Sequence, residues 1–182
     1  GDIEIVITSK DKHLYVLNPD GSVELNYNAN QFLMGSPVLC EMDGDSELEI
    51  VFSGYTSTGD VFAINPDGSD LPGFPVSLNE KVLRGAAVAD LNENGLDDIV
   101  VATETQNMLC IVWDNGDIDT LLTAQDKFKS APTIITTPLG ETLILAGSND
   151  HNLYGVDVDG NIKFIYVTQY DVTVSPAVVD ID

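Results

Sequence analysis

In the stretch "DLNENGLDDIVVAT", residues 90–103, oxygen-bearing side chains recur on alternate residues. Counting Asp90 as position one, Asn92, Asn94 and Asp98 stand at three, five and nine, and Gly95 supplies a tight turn after position five. That spacing suits a hard divalent cation. Calcium takes six to eight oxygens at roughly 2.3–2.6 Å, and a loop of this kind adds the backbone carbonyl at position seven, here Leu96, with waters filling the remainder. Without a cation, Asp90, Glu93, Asp97 and Asp98 repel one another, and only solvent screens them. The chemistry implied is ion binding, and the alternative is an acidic, solvated turn. An EF-hand is excluded, because position twelve is Val101 rather than a bidentate Glu and no helix flanks the loop. The β-branched run Ile99, Val100, Val101 reads as a strand, and the short apolar "GAAVAD" before the loop reads as another.

The elements that position this loop are repeated. "PVLCEMDGDSELEIVFSG" from Pro37, "AAVADLNENGLDDIVVAT" from Ala86, "PTIITTPLGETLILAGS" from Pro132 and "PAVVDID" from Pro176 align with one another, at spacings of 49, 46 and 44 residues. Each is preceded or followed by a second motif, "HLYVLNPDG", "DVFAINPDG", "MLCIVWDNG" or "NLYGVDVDG", an alternating strand that ends in Asp-Gly or Asn-Gly. Those pairs supply positive φ values for tight hairpin turns. A less regular strand follows each. One period therefore holds about four short strands and no helical periodicity, the expectation for one blade of a β-propeller. The chain is read as all-β, with about four four-stranded blades starting near 37, 86, 132 and 176, the last matching residues 1–36. Alternate apolar residues such as Val16, Ile64, Ile111 and Val156 are expected to fill the spaces between blades.

The ends fall inside the motif. Joined, they spell "DIDGDIEIV", two residues short of "EMDGDSELEIV", so Asp180, Asp182, Asp2 and Glu4 resemble a split copy of the loop. A portion of a larger propeller is the first expectation, and a closed four-bladed ring is the alternative.

Seven basic against 30 acidic residues give a formal charge of −23, which argues against nucleic acid or an anionic membrane surface as a direct partner. No apolar run approaches the roughly 20 residues that a membrane-spanning helix needs. Cys40 and Cys110 sit in apolar strands at different repeat positions and read as small core residues rather than a disulfide.

The loops "EMDGDSELEIV" and "DLNENGLDDIV" resemble the calcium loops of FG-GAP or VCBS repeats, the propeller repeats of integrin α-subunits and of many bacterial surface proteins. "LYVLNPDG" is also similar to PQQ-like propeller repeats. The first resemblance implies that Glu41, Asp43, Asp45 and Glu49 are side-chain ligands with Glu47 contributing its carbonyl, and that Asp90, Asn92, Asn94, Leu96 and Asp98 serve the same way in the next copy. Glu41 departs from the usual Asp. The third copy places Thr136, Pro138 and Gly140 at positions one, three and five and is expected to bind no calcium.

The function implied is a secreted or cell-surface, calcium-stabilised module that engages a protein or glycan ligand. Calcium affinities of roughly 10⁻⁴–10⁻³ M suit extracellular modules. An enzyme, either a polysaccharide lyase or a quinone-dependent dehydrogenase, is the second reading, and a structural spacer or filament subunit is the third. No catalytic constellation stands out: His13 and His151 lie near hairpin turns, and Trp113 lacks the repeated tryptophans of a quinone-docking propeller.

Overall fold

The structure, a computed structural model, describes residues 3–180 and is built entirely of antiparallel sheets. The first sheet has three strands, β1 (Ile5–Thr8), β2 (His13–Leu17) and β3 (Val23–Asn28), in that order. The second holds β4 (Val38–Cys40), β5 (Glu49–Ser53), β6 (Asp60–Ile64) and β7 (Val76–Ser77). The third holds β8 (Ala87–Ala89), β9 (Asp98–Ala102), β10 (Met108–Val112) and β11 (Ile118–Thr123). The fourth holds β12 (Thr133–Thr136), β13 (Thr142–Gly147), β14 (Asn152–Val156) and β15 (Ile162–Val167). Within each sheet every strand pairs with its sequence neighbour. No helix of the described residues is long and apolar enough to cross a membrane.

The sheets stack face to face, as the apolar alternation requires. Val16 and Ile64 meet between the first and second sheets, Val51 and Val101 between the second and third, and Ile111 and Val156 between the third and fourth. Because β5 and β9 have a neighbouring sheet on both sides, they are buried along their whole length. This explains why they read as continuous apolar runs rather than alternating ones. The short strands β4, β8 and β12 lie side by side, the innermost strands of successive blades. The architecture is thus the β-propeller arrangement read from the repeats, with the four sheets in an open arc. No strand pairing among the described residues joins the last sheet to the first, which agrees with a portion of a propeller rather than a closed four-bladed ring.

The turn chemistry differs from the expectation in one respect. In the "NPDG" hairpins only the glycine has positive φ: Gly21 at 84° and Gly68 at 86°, with Asp20 and Asp67 ordinary. The Gly21 N–H donates to the Asn18 carbonyl and the Asn18 N–H to the Ser22 carbonyl, closing a three-residue loop with a bulge between Val16 and Leu17. A type I turn followed by one left-handed residue needs positive φ once, where a two-residue type I′ turn needs it twice. Asp20 instead accepts the Ser22 N–H and hydroxyl, which holds its carboxyl below the ordinary value.

Cys40 and Cys110 are both buried in the cluster between the second and third sheets and are not joined. Burial pushes their thiols up to about 12 and about 11 respectively.

Candidate metal centre

The loop between β4 and β5 carries the first copy of the acidic motif. Gly44, at position four, has φ of 83°, and this left-handed residue folds the chain back so that position nine returns beside position one. Glu41, Asp43 and Glu49 thereby each bring one carboxylate oxygen within 4.8 Å of the other two, the one such acidic group of three among the described residues. Backbone N–H groups pin the cluster from outside. The Gly44 N–H donates to Glu41 Oε1 at 2.7 Å, the Asp45 N–H to Asp43 Oδ1 at 3.1 Å, and the Glu47 N–H to Asp45 Oδ1 at 2.6 Å.

Glu49 is the exceptional member. It is fully buried at the start of β5, yet only Oε2 has a partner, the Met42 N–H at 2.6 Å. Oε1 is buried and accepts no hydrogen bond. Burial raises its pKa, the Met42 bond opposes that, and the neighbouring charges of Asp43, Glu41 and Asp45 raise it further. A buried carboxylate oxygen without a donor is costly unless something positive meets it. The donor set is all oxygen and all acidic, which fits a hard divalent cation and not a soft or redox-active metal. Glu41, Asp43 and Glu49 would hold such an ion. Asp45 and Glu47, exposed at the loop tip, stand outside the three-carboxylate group.

The second copy, between β8 and β9, is differently arranged. Asp98 is also fully buried, and burial raises its pKa, but both its oxygens are occupied: Oδ2 accepts the Leu91 N–H at 3.0 Å and Oδ1 the Asp114 N–H at 3.1 Å. Asp90 accepts the N–H groups of Asn94 and Gly95, and Asn92 accepts that of Asn94. Leu96 donates its N–H to Asn94 Oδ1 at 2.8 Å. The side chain at position nine is a methylene shorter than Glu49, and its oxygens are satisfied by one backbone N–H of the loop, that of Leu91, and one from the turn after β10, that of Asp114. Position four is again left-handed, although here it is Glu93 with φ of 60°.

The third copy closes as a plain turn. The Thr137 N–H donates to the Glu141 carbonyl, and Leu139 at the tip is 95 % exposed. Of the split fourth copy, Asp182 and Asp2 lie outside the described residues, and Asp180 ends an exposed segment.

Two groups that the repeat reading passed over tie the loops together. The Glu41 N–H donates to Asp97 Oδ2 at 3.1 Å and the Asp97 N–H to the Glu41 carbonyl at 2.6 Å, so position one of the first loop is clamped to the second. Asp114, on the turn after β10, receives the Asn94 amide at 2.9 Å. Neither partner is predictable from spacing within one repeat, since each bond crosses to another hairpin. The histidines belong to different sheets: His13 opens β2 beside Asp11, and His151 stands in the turn before β14 beside Asp171.

No protein-family model matches the chain, and no curated protein matches it either. Solved structures do match in fold. The chain superposes on BamB from Moraxella catarrhalis with a TM-score of 0.69 at 17 % identity, covering 99 % of this chain and 50 % of that one. It superposes on the Dos1 propeller with a TM-score of 0.66 at 13 % identity, covering 95 % and 47 %. A third match is BBS1N, solved in complex with ARL6DN, with a TM-score of 0.60 at 13 % identity, covering 94 % and 55 %. The chain spans about half the length of these structures, and the likeness is one of β-propeller fold.

Proposed function

We propose that this chain is a protein-interaction module of the β-propeller type, secreted or displayed at a cell surface, in which calcium at the Glu41–Glu49 loop acts as a structural ion. One observation carries the reading of the ion: the buried, unpartnered Oε1 of Glu49 beside the carboxylates of Glu41 and Asp43. A bound cation gives that oxygen its missing partner, relieves the mutual repulsion of the cluster and fixes the β4–β5 hairpin, so binding free energy becomes folding free energy. The resemblance of both acidic loops to FG-GAP and VCBS repeats supports the same assignment. An extracellular setting follows from the ion, because only there is free calcium abundant enough for a site of modest affinity. A protein partner is supported by the propeller solved with ARL6DN bound.

The test is a calcium titration of chelator-stripped protein, followed by calorimetry and by melting temperature. Saturable binding with a rise in melting temperature is the expected outcome. No binding and no shift would leave the first loop a solvated acidic turn and remove the support for a surface location.

A further inference from the structure

The copies of the repeat act as controls for one another, and one residue breaks their pattern. The position that opens the turn after β2, β6, β10 and β14 is Asn18, Asn65, Trp113 and Asp157 in turn. In every copy its N–H closes the turn, donating to the carbonyl of Ser22, Ser69, Asp117 or Asn161. In three copies the side chain serves the same turn: Asn18 and Asn65 donate to the hydroxyls of Ser22 and Ser69, and Asp157 accepts the Asn161 N–H. Trp113 does not. The turn has no need of an indole, so the single tryptophan of the chain stands where a small polar residue suffices.

What the indole does instead is line a cleft of about 520 Å³ between the third and fourth sheets. Leu91, Leu121, Val158 and the half-buried Trp113 form its apolar floor, each also packed on the core between those sheets. Gly160, with φ of 80°, fixes the far wall: a Cβ there would come within 2.7 Å of the Leu121 carbonyl oxygen, so the turn carrying Val158 and Asp159 sits close against β11. The rest of the lining is polar, and its charged members are the exposed Asp119 and Asp159. Trp113 Nε1 donates to Asp119 Oδ2 at 2.8 Å, which sets a carboxylate at the edge of the ring. Neither Asp119 Oδ1 nor the Asp159 carboxylate has a partner among the described residues. Lys163, on β15, is already paired with Glu141 at 2.7 Å and Asp157 at 3.1 Å.

We propose that this cleft takes an arginine side chain from a basic segment of a partner protein. The inference rests on the reading of the chain as a protein-interaction module and names the chemistry of the partner. A guanidinium stacks on an indole face, and its fork of N–H donors suits carboxylates at the edge of that face. The occupant is cationic because every charged group lining the cleft is negative and the chain as a whole carries −23, a field that draws in a basic segment and repels an acidic one. A neutral ligand would leave both carboxylates without a counter-charge. The same field makes the affinity fall as salt rises.

The single tryptophan makes its own emission a direct report on the cleft. The 182-residue chain is titrated at low salt with an arginine–glycine repeat peptide, and with its lysine and citrulline counterparts, followed by tryptophan emission and by calorimetry. Saturable binding of the arginine peptide is expected, with weaker binding of the lysine peptide and none of the citrulline peptide. Trp113→Asn restores the residue of two other copies and should weaken binding by about three- to thirtyfold, read by calorimetry. Asp119→Asn with Asp159→Asn keeps an oxygen for the indole N–H and should weaken it by about threefold or more. Glu24→Gln with Asp126→Asn, which removes the same charge from exposed positions outside the cleft, should leave it unchanged. Circular dichroism and melting temperature confirm that each variant is folded. The proposal is overturned if the arginine peptide does not bind, or if the lysine or citrulline peptide binds as tightly. It is overturned equally if the cleft variants weaken binding no more than the control pair, since the peptide then reads only diffuse charge. None of these results touches the calcium response of the first loop, so the reading of the chain as a calcium-stabilised module is judged by its own titration.

Discussion

Replacing Glu49 by Gln separates a metal ligand from a merely buried side chain. Gln keeps the length of Glu and an oxygen for the Met42 N–H, but removes the charge. In chelator, Glu49 faces two carboxylates with oxygens within 4.8 Å. Two unit charges at that separation repel by about 0.9 kcal/mol in bulk water and about 3.5 kcal/mol at an effective dielectric of 20. Asp43 is exposed, so the lower half of that range applies, and an unpaired amide N–H₂ offsets part of the relief at about 1 kcal/mol or more. Glu49→Gln should therefore be neutral to mildly stabilising without calcium. With calcium at a hundred times its dissociation constant, the wild type gains about 2.7 kcal/mol from one site, and the variant loses that gain. At about 2–4 °C per kcal/mol for a chain of this size, the difference is about 5–11 °C in melting temperature. Scanning calorimetry of both proteins in chelator and in calcium reads it directly. Should Glu49→Gln keep the full calcium-induced shift, the cluster is not the site. Should it lose several kcal/mol in chelator, Glu49 is a packing and capping residue, and the argument from its orphaned oxygen fails.

Other consequences follow from the same geometry. Asp90→Asn should lower the calcium response by less than Glu49→Gln, because Asp98 in that loop already has both oxygens engaged; isothermal titration of the two variants compares them. Calcium and protons compete for Glu49, whose folded pKa is raised above its ordinary 4.5. In chelator, the stability linked to this group is present below that ordinary value and is lost as pH rises through the raised folded value; apparent calcium affinity should climb across the same window, measured by titration in buffers from pH 4.5 upward. Glu80 is fully buried, its Oε2 accepts the N–H groups of Thr105 and Gln106 and its Oε1 has no partner, so Glu80→Ala should cost about 1–3 kcal/mol in denaturant unfolding, with or without calcium. Cys40 and Cys110, with thiols raised to about 12 and about 11 behind a closed core, should react with a thiol reagent only as fast as the chain opens; labelling in native buffer and in denaturant shows the contrast.

What was legible in the sequence was whatever one repeat could express alone. Strand order, the four-fold repetition and the buried alternation at Val16, Ile64, Ile111 and Val156 all arise from local period and turn residues, and each stands in the structure as read. The acidic positions were legible too, but their ranking was not. By residue type the Asp90 loop looks the better calcium site, since Glu41 departs from Asp and the Asp90 copy does not. In three dimensions the extra methylene of Glu49 carries one oxygen past the Met42 N–H and leaves it free, while the shorter Asp98 is consumed by Leu91 and Asp114. That distinction depends on Asp114, which lies on a different hairpin, and no spacing within the loop encodes it. The clamp between Glu41 and Asp97 is of the same kind, joining residues 56 apart. An ion that orders the first loop is therefore expected to be felt in the second through this pair of bonds. The two loops should titrate as coupled sites, and Asp97→Ala should weaken calcium binding at a loop to which it contributes no ligand.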